Sequence, residues 1–578
     1  MVEQPTFLEH LNDKQREICM SDCNYVLTAC PGSGKTRLIT YRLAYLQEKY
    51  KNSRKYNIAI TYTNRAADEI YRRLDDMAID LSSVWSGTIH QFCMSFIIRP
   101  YAMYSDNLKN GYKVIDEYIS RAYCKEIAEE LSIDYGYDNP LEYPEIKEKY
   151  QNRLIERKEI DFDSILTLSL KLLKENPFIA ENISAIIRSF HIDEFQDTNE
   201  LQYKILSEIV HYNSKINVVF VGDTNQAIFG GIGAVAKNTQ EIKELFGIDF
   251  KEDTLSGCYR STQRIVDFYT NFEIDKTGVY SLSENKNTFG VINYDTSIGI
   301  SELTNRIKNI IEKELANGIS ENEICVVAPQ WYQIFSVAKN LRESLPTVSF
   351  DAPEISAFKY DPMNPFYLLA KLLFTKSGKY VRSRKKTATE VLSILKYDFQ
   401  LCIDGSFDNY SLLNAINRCF PTLENGMLFY KDAVQKIFLA MGLKIEEETS
   451  LMVLFESFVE KCNERIEKYK LSSSYEAFFA CFAEKHGIVV NTIHGVKGEE
   501  YKTVIAFGLL NGILPHWDYI TKPEKKSLRY NETQKLLYVL SSRAKENLYL
   551  FSEKGHFTKK GNEYTPTDEL RSVSFDYN

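Results

Sequence analysis

The chain is predicted to be an α/β protein with two parallel-sheet domains, each carrying a mainly helical insertion. Zones 11–92, 189–262 and 488–550 set short β-branched runs beside turn glycines, the punctuation of strand–loop–helix units. Between them, 93–188 and roughly 366–484 are charged, helix-periodic and poor in strand signals. A length of 578 residues also exceeds what one hydrophobic core serves, so several domains are expected.

In chain order, the strands read Tyr25–Thr28, Asn57–Tyr62, Phe190–Ile192, Val218–Val221 and Thr503–Phe507. Apolar, nearly continuous runs of this kind, alternating with helices, imply parallel strands covered on both faces. Tyr118–Leu131 and Ser457–Tyr469 are helical segments of the two insertions.

Composition narrows the function classes. The chain is 44% hydrophobic and 26% charged, a globular balance. Its greasiest run, Tyr367–Phe374, is interrupted by Lys371, so no membrane span is expected. Met1–His10 lacks the basic and apolar regions of a secretory signal, and a cytoplasmic location is expected. Eleven cysteines lie scattered without C-x-x-C pairs. Cys19, Cys23 and Cys30 come closest to a cluster but have no matching one, so reduced core thiols are expected rather than a metal centre. A net charge of −9 argues against bulk coating of nucleic acid but leaves room for a locally basic groove.

The chemistry begins at Ala29-Cys30-Pro31-Gly32-Ser33-Gly34-Lys35-Thr36, between the first strand and a helix-like Arg37–Glu48. Glycines there let backbone N–H groups close on phosphates; Lys35 neutralises β/γ oxygens and Thr36 offers a hydroxyl to Mg²⁺. Ala29 stands where the phosphate-loop pattern has its first glycine. A second strand ends in Asp193-Glu194. Asp193 is assigned to the metal, and Glu194 to the attacking water. Val218–Val221 run into Gly222-Asp223-Thr224-Asn225-Gln226, where Gln226 is a candidate γ-phosphate sensor.

Order and spacing then resemble one family. Asp193-Glu194-Phe195-Gln196-Asp197-Thr198-Asn199 matches the DEFQDTN box of UvrD/Rep-like superfamily 1 helicases. Thr61–Leu74 is similar to their motif Ia, Gly87-Thr88-Ile89-His90 to their GTFH box and Gly222–Ala234 to motif III. Tyr259-Arg260-Ser261-Thr262 resembles motif IV, Thr492–Glu500 motif V, and Tyr538–Lys545 motif VI. Leu11-Asn12 with Gln15 resembles the adenine-reading Q motif. The resemblance implies two RecA-like P-loop domains with ATP and Mg²⁺ in the cleft between them and DNA across the top. It further implies that Arg260 and Arg543 are arginine fingers, that Tyr259 stacks on adenine, that Gln15 reads its edge and that Glu500 faces the ribose. The nucleotide-contacting stretch then runs from Ala29 to Arg37.

The strand path departs from the family. Motif III usually runs aromatic-Gly-Trp-Arg-Gly; here it is Phe229-Gly230-Gly231-Ile232-Gly233, without the second ring and without the arginine. Phe229 and Tyr62 are the candidate base platforms, with Thr63, Thr88, His90, Thr492 and His494 as polar neighbours.

The expected partition is 1–90 with 190–272 for the first RecA-like domain and 91–189 for its insertion. The second domain takes 273–365 with 486–578, around an insertion at 366–485. The stretch after Arg543 is too short for the fused nuclease of RecB-like or AddA-like relatives. Two functions follow from the resemblance. One is ATP-driven 3′→5′ movement on single-stranded or partly duplex DNA with strand separation. The other is a DNA-stimulated ATPase serving as regulatory subunit of a separate nuclease, as in two-gene phage-defence systems. The reduced second insertion and the missing Trp favour the latter modestly.

Overall fold

The computed structural model describes residues 5–577 apart from 116, 137–138, 229–235, 352–355, 360, 379–380, 422–423, 470, 483–486 and 559. Its strands in chain order are β1 (Tyr25–Ala29), β2 (Tyr56–Ile60), β3 (Val84–Gly87), β4 (Lys113–Val114), β5 (Glu159–Ile160), β6 (Ile187–Asp193), β7 (Asn217–Gly222) and β8 (Lys251–Leu255). There follow β9 (Gly257–Cys258), β10 (Tyr280–Ser281), β11 (Ile292–Asp295), β12 (Ile324–Ala328), β13 (Phe350–Asp351), β14 (Ile488–Thr492), β15 (Tyr501–Ala506) and β16 (Ala544–Phe551). Twelve of them form two six-stranded sheets, ordered β3-β2-β6-β7-β1-β8 and β11-β16-β15-β12-β14-β13. Every pairing within both sheets is parallel, as the continuous apolar runs require.

Register follows burial. Phe190 on β6 stands opposite Ile58 on β2 and Val218 on β7, and all three are fully buried. Helices cover both faces of the first sheet. Lys35–Lys49 lays Leu38, Ile39 and Leu43 on one side, while Phe162–Glu175 and Pro177–Ile186 bury Leu172, Leu173 and Ile183 on the other. Among the described residues no helix is long and apolar enough to cross a membrane. All eleven cysteines are free thiols.

The helices from Pro365–Leu373 to Tyr475–Ala480 share a separate aromatic-rich core that includes Phe366, Phe374, Tyr430 and Phe478. This helical body docks on helix Asn64–Asp76 and on the edge strand β3 through its cations. Lys371 reaches Asp68 at 2.9 Å, Arg382 reaches Asp75 at 3.2 Å, and Lys386 donates to the Ser86 carbonyl at 2.6 Å.

A further clamp is buried. Arg99 forks onto Asp398 with two 3.0 Å bonds and onto Glu390 at 2.8 Å, and Tyr112 donates to Asp398. The side chains of Arg99 and Asp398 are only 5% and 6% exposed. Arg99 directly follows the π-helical turn Cys93–Ile98, and Asp398 is the last residue of another, Ile394–Asp398. Removing Arg99 leaves the buried Asp398 carboxylate without this cation, bonded by the Tyr112 hydroxyl. Arg99→Ala should therefore cost about 3–5 kcal/mol of stability. Arg99→Lys should recover only part, since an ammonium cannot fork onto a carboxylate. Denaturant unfolding of both variants checks this; an unchanged midpoint for Arg99→Ala would show the clamp to be energetically silent.

Candidate nucleotide and strand site

Parallel sheets bind ligands outside the carboxyl ends of their strands. On the first sheet those ends carry the loop after Ala29, the Asp193-Glu194 step and the Asp223–Gln226 turn, from β1, β6 and β7. The phosphate loop needs its glycines. Gly32 and Gly34 sit at φ 71° and 83°, and a Cβ on Gly32 would come within 2.5 Å of the Arg260 Cβ. Lys35 opens the following helix, 9% exposed, with its ammonium 3.9 Å from Glu194.

Thr36 donates to Asp193 Oδ2 at 3.1 Å, so the two predicted metal residues meet. Glu194 adopts the left-handed conformation, φ 53°, which is strained for a side-chain-bearing residue and persists only where the surroundings hold it. Gln196 holds it, donating to Glu194 Oε2 at 2.5 Å while accepting from the Asp223 amide at 3.0 Å. Burial, then the neighbouring Glu194 charge, push the Asp193 carboxyl up. Burial works against Glu194 as well, but Lys35, Lys497 and the Gln196 bond hold its carboxyl below the usual range. The carboxylate that the sequence assigns to the attacking water is thus held in its ionised form.

The second half of the chain closes on this face. Arg543, between the helix Arg529–Ser541 and β16, is 1% exposed. It donates to Gln226 Oε1 at 2.9 Å and to the carbonyls of Val539 and Glu499 at 2.9 and 3.2 Å. Burial and the like charge of Arg260 push its guanidinium down to about 10, so it stays charged at neutral pH. Arg260 donates to Glu500 Oε2 at 2.7 Å and to the Ser542 carbonyl at 3.1 Å. Against the cost of burial, Arg260 and Lys545 hold Glu500 down at about 2. Ser261 and Thr262 bond the backbone at Ala544 and Lys545, which joins the predicted motif IV to motif VI.

Gln15 donates to the Ser33 carbonyl of the loop at 3.0 Å, and its helix starts with an Asn12–Gln15 capping box. Asn12 also donates to the Tyr259 hydroxyl at 2.8 Å, bringing the predicted adenine readers together. The Tyr259 ring itself is exposed. Cys30, Pro31 and Ser33 form the buried turn of the loop. Arg37, the last residue of the expected nucleotide-contacting stretch, follows Thr36 in the same helix. Its guanidinium bonds the His10 carbonyl at 2.9 Å and lies 5.4 Å from the Tyr41 ring centroid, engaged by the N-terminal segment.

Lys497 was missed by sequence reasoning. Its ammonium bridges Asp197 and the Gln226 carbonyl, both at 2.5 Å, joining the predicted motif V to motifs II and III. The available signal was a lysine inside the Thr492–Glu500 stretch, which carries no strong preference by itself. Asp223 was also passed over; it accepts from Gln226 at 2.7 Å and orients that amide towards Arg543.

A cleft of about 970 Å³ runs from Thr36, Asp193 and Glu194 past Tyr62, Thr63 and His494. Thr63, Thr88 and Thr492 accept from the amides of Ala66, Gln91 and Gly495, so each keeps its hydroxyl proton for an outside acceptor. His90 packs edge-on against Phe162, 5.5 Å between centroids, and burial lowers its imidazole to about 4, leaving it neutral. Phe229, expected to stack on a base, lies outside the described residues.

Comparison with known proteins agrees with this layout. The family model for the UvrD/REP helicase N-terminal domain matches residues 11–143 and 135–247. That for the UvrD-like helicase C-terminal domain matches residues 440–555. The ATP-dependent DNA helicase PcrA of Staphylococcus aureus is 22% identical over 94% of this chain and 83% of its own length. PcrA of Staphylococcus epidermidis is 28% identical over 45% of this chain and 39% of its own length. With both halves matched in order, and two parallel sheets meeting at one buried phosphate-loop cleft, the chain belongs to the UvrD-like helicase family.

Proposed function

We propose that this helicase is an ATP-hydrolysing motor on single-stranded DNA, moving 3′→5′ and separating strands. One observation carries the ATPase reading. Arg543, from the second half, meets Gln226 of the first half beside Lys35 and Glu194, so closing the cleft completes the site. In this reading Lys35 and the loop amides hold the β/γ-phosphates, and Gln15 and Tyr259 hold the base. Glu194 accepts the proton of the attacking water, and Arg260 and Arg543 stabilise charge on the transferred phosphoryl. The oxygens of Thr36 and Asp193, 3.1 Å apart, suit a hard divalent cation, and Mg²⁺ there would neutralise phosphate charge. Gln226 links the site to the strand: its side chain meets Arg543, and its carbonyl meets Lys497 in the wall of the cleft.

The regulatory-subunit reading is favoured by one specific feature, the Gly231 and Ile232 that replace the ring and the guanidinium of motif III. An unwinding assay on tailed duplexes, run beside ATPase with and without single-stranded DNA, separates the two. DNA-stimulated turnover with unwinding from a 3′ tail is expected. Stimulated turnover without unwinding would support the regulatory reading, and turnover indifferent to DNA would overturn both.

A further inference from the structure

The cleft that contains Tyr62, Thr63 and His494 has a second wall from a distant part of the chain. Lys376, Phe479 and Phe482 of the second helical body line the same cavity. In the short helix Tyr475–Ala480, Phe478 is fully buried in that body's core. The next residue, Phe479, is half-buried and lines the cleft instead. Lys376 is exposed at the cleft's edge. The cations of the opposite wall are largely matched by carboxylates. Arg72 and Arg73 both bond Glu69, Arg65 pairs with Glu499, and Lys497 pairs with Asp197. Charge on that wall therefore supplies little net attraction for a phosphodiester chain, and rings must supply more of the grip. Single-strand grooves combine such rings with nearby cations.

We infer that Phe479 and Lys376 form a second contact wall for single-stranded DNA, supplying a ring and a cation where motif III has Gly231 and Ile232. This rests on the proposed single-strand function and adds residues from the second helical body to it. Phe479 stacks on a base from the side opposite helix Asn64–Asp76, and Lys376 meets a phosphate.

The test is binding of a labelled oligothymidylate to the full chain at several salt concentrations. Phe479→Ala should weaken binding roughly five- to 150-fold, the loss of one base–aromatic stack. Phe479→Leu, which keeps an apolar side chain without the ring, should weaken it similarly at an unchanged melting temperature. Lys376→Gln should lower affinity and reduce the slope of log K against log salt by about one. ATPase without DNA should be unaffected by all three, since none touches the phosphate loop. Tyr62→Ala serves as the opposite-wall control. Wild-type affinity in Phe479→Leu, with Tyr62→Ala weakened, would overturn the second wall and leave the single-strand reading standing. Failure of the unmodified chain to bind the oligonucleotide would overturn both.

Discussion

Replacing Arg543 with alanine should reduce DNA-stimulated ATP turnover by about 10³–10⁵-fold, the usual contribution of an arginine at a phosphoryl transition state. The guanidinium is buried and aimed, held by bonds to Gln226, Ser542 and two main-chain carbonyls. Such preorganisation acts on charge developing in the transition state and not on ground-state binding, so kcat should fall far more than nucleotide affinity. Arg543→Lys should remain severely impaired, because an ammonium cannot hold four acceptors in the same fork. Part of the loss in Arg543→Ala is structural: Gln226 Oε1 loses its partner, a cost of about 1–3 kcal/mol if it stays dry. Melting temperature and ATP-analogue binding, measured on the same preparations, separate the two effects. A variant that folds, binds nucleotide and still turns over within tenfold of wild type would remove Arg543 from the chemistry.

Glu194→Gln should bind ATP at least as well as wild type and hydrolyse it about 10²–10⁴-fold more slowly, the range for loss of a general base. The physical reason is local. Lys35 sits 3.9 Å from the Glu194 carboxylate, and neutralising that carboxylate leaves more of the ammonium's field for a phosphate. The amide is close in size to the carboxylate, so the left-handed backbone at φ 53° and the contact with Gln196 should be kept. Single-turnover hydrolysis beside equilibrium binding of labelled ATP tests this. Normal hydrolysis by Glu194→Gln would show that another group activates the water.

Much of the local geometry at the candidate nucleotide site is legible in the sequence. A phosphate loop needs Gly32 and Gly34 in the left-handed region beside a lysine and a hydroxyl, and that demand falls on contiguous residues. The acidic pair at the tip of β6 and the turn after β7 are likewise short-range signals, readable from an apolar run that stops at a carboxylate. Parallel strands announced themselves through unbroken apolar composition. Adjacency does not show side-chain partners: Arg37, one residue beyond Thr36, bonds the His10 carbonyl and lies over the Tyr41 ring.

What only the tertiary structure decided is which charges meet. Lys497 finds Asp197 from 300 positions away, and Arg99 finds Asp398 from 299. The cleft that Phe479 lines together with Tyr62 is of the same kind. With 70 lysines and arginines against 79 aspartates and glutamates, local sequence singles out no partner for any one of them. Backbone conformation and strand burial are decided over a few neighbouring residues, and so the sequence determined the phosphate loop, the strand tips and the parallel sheets. An ion pair or a shared cleft is decided through space, by how two sheets and their helical bodies pack. Its energy depends on burial and geometry that exist only once the chain has folded.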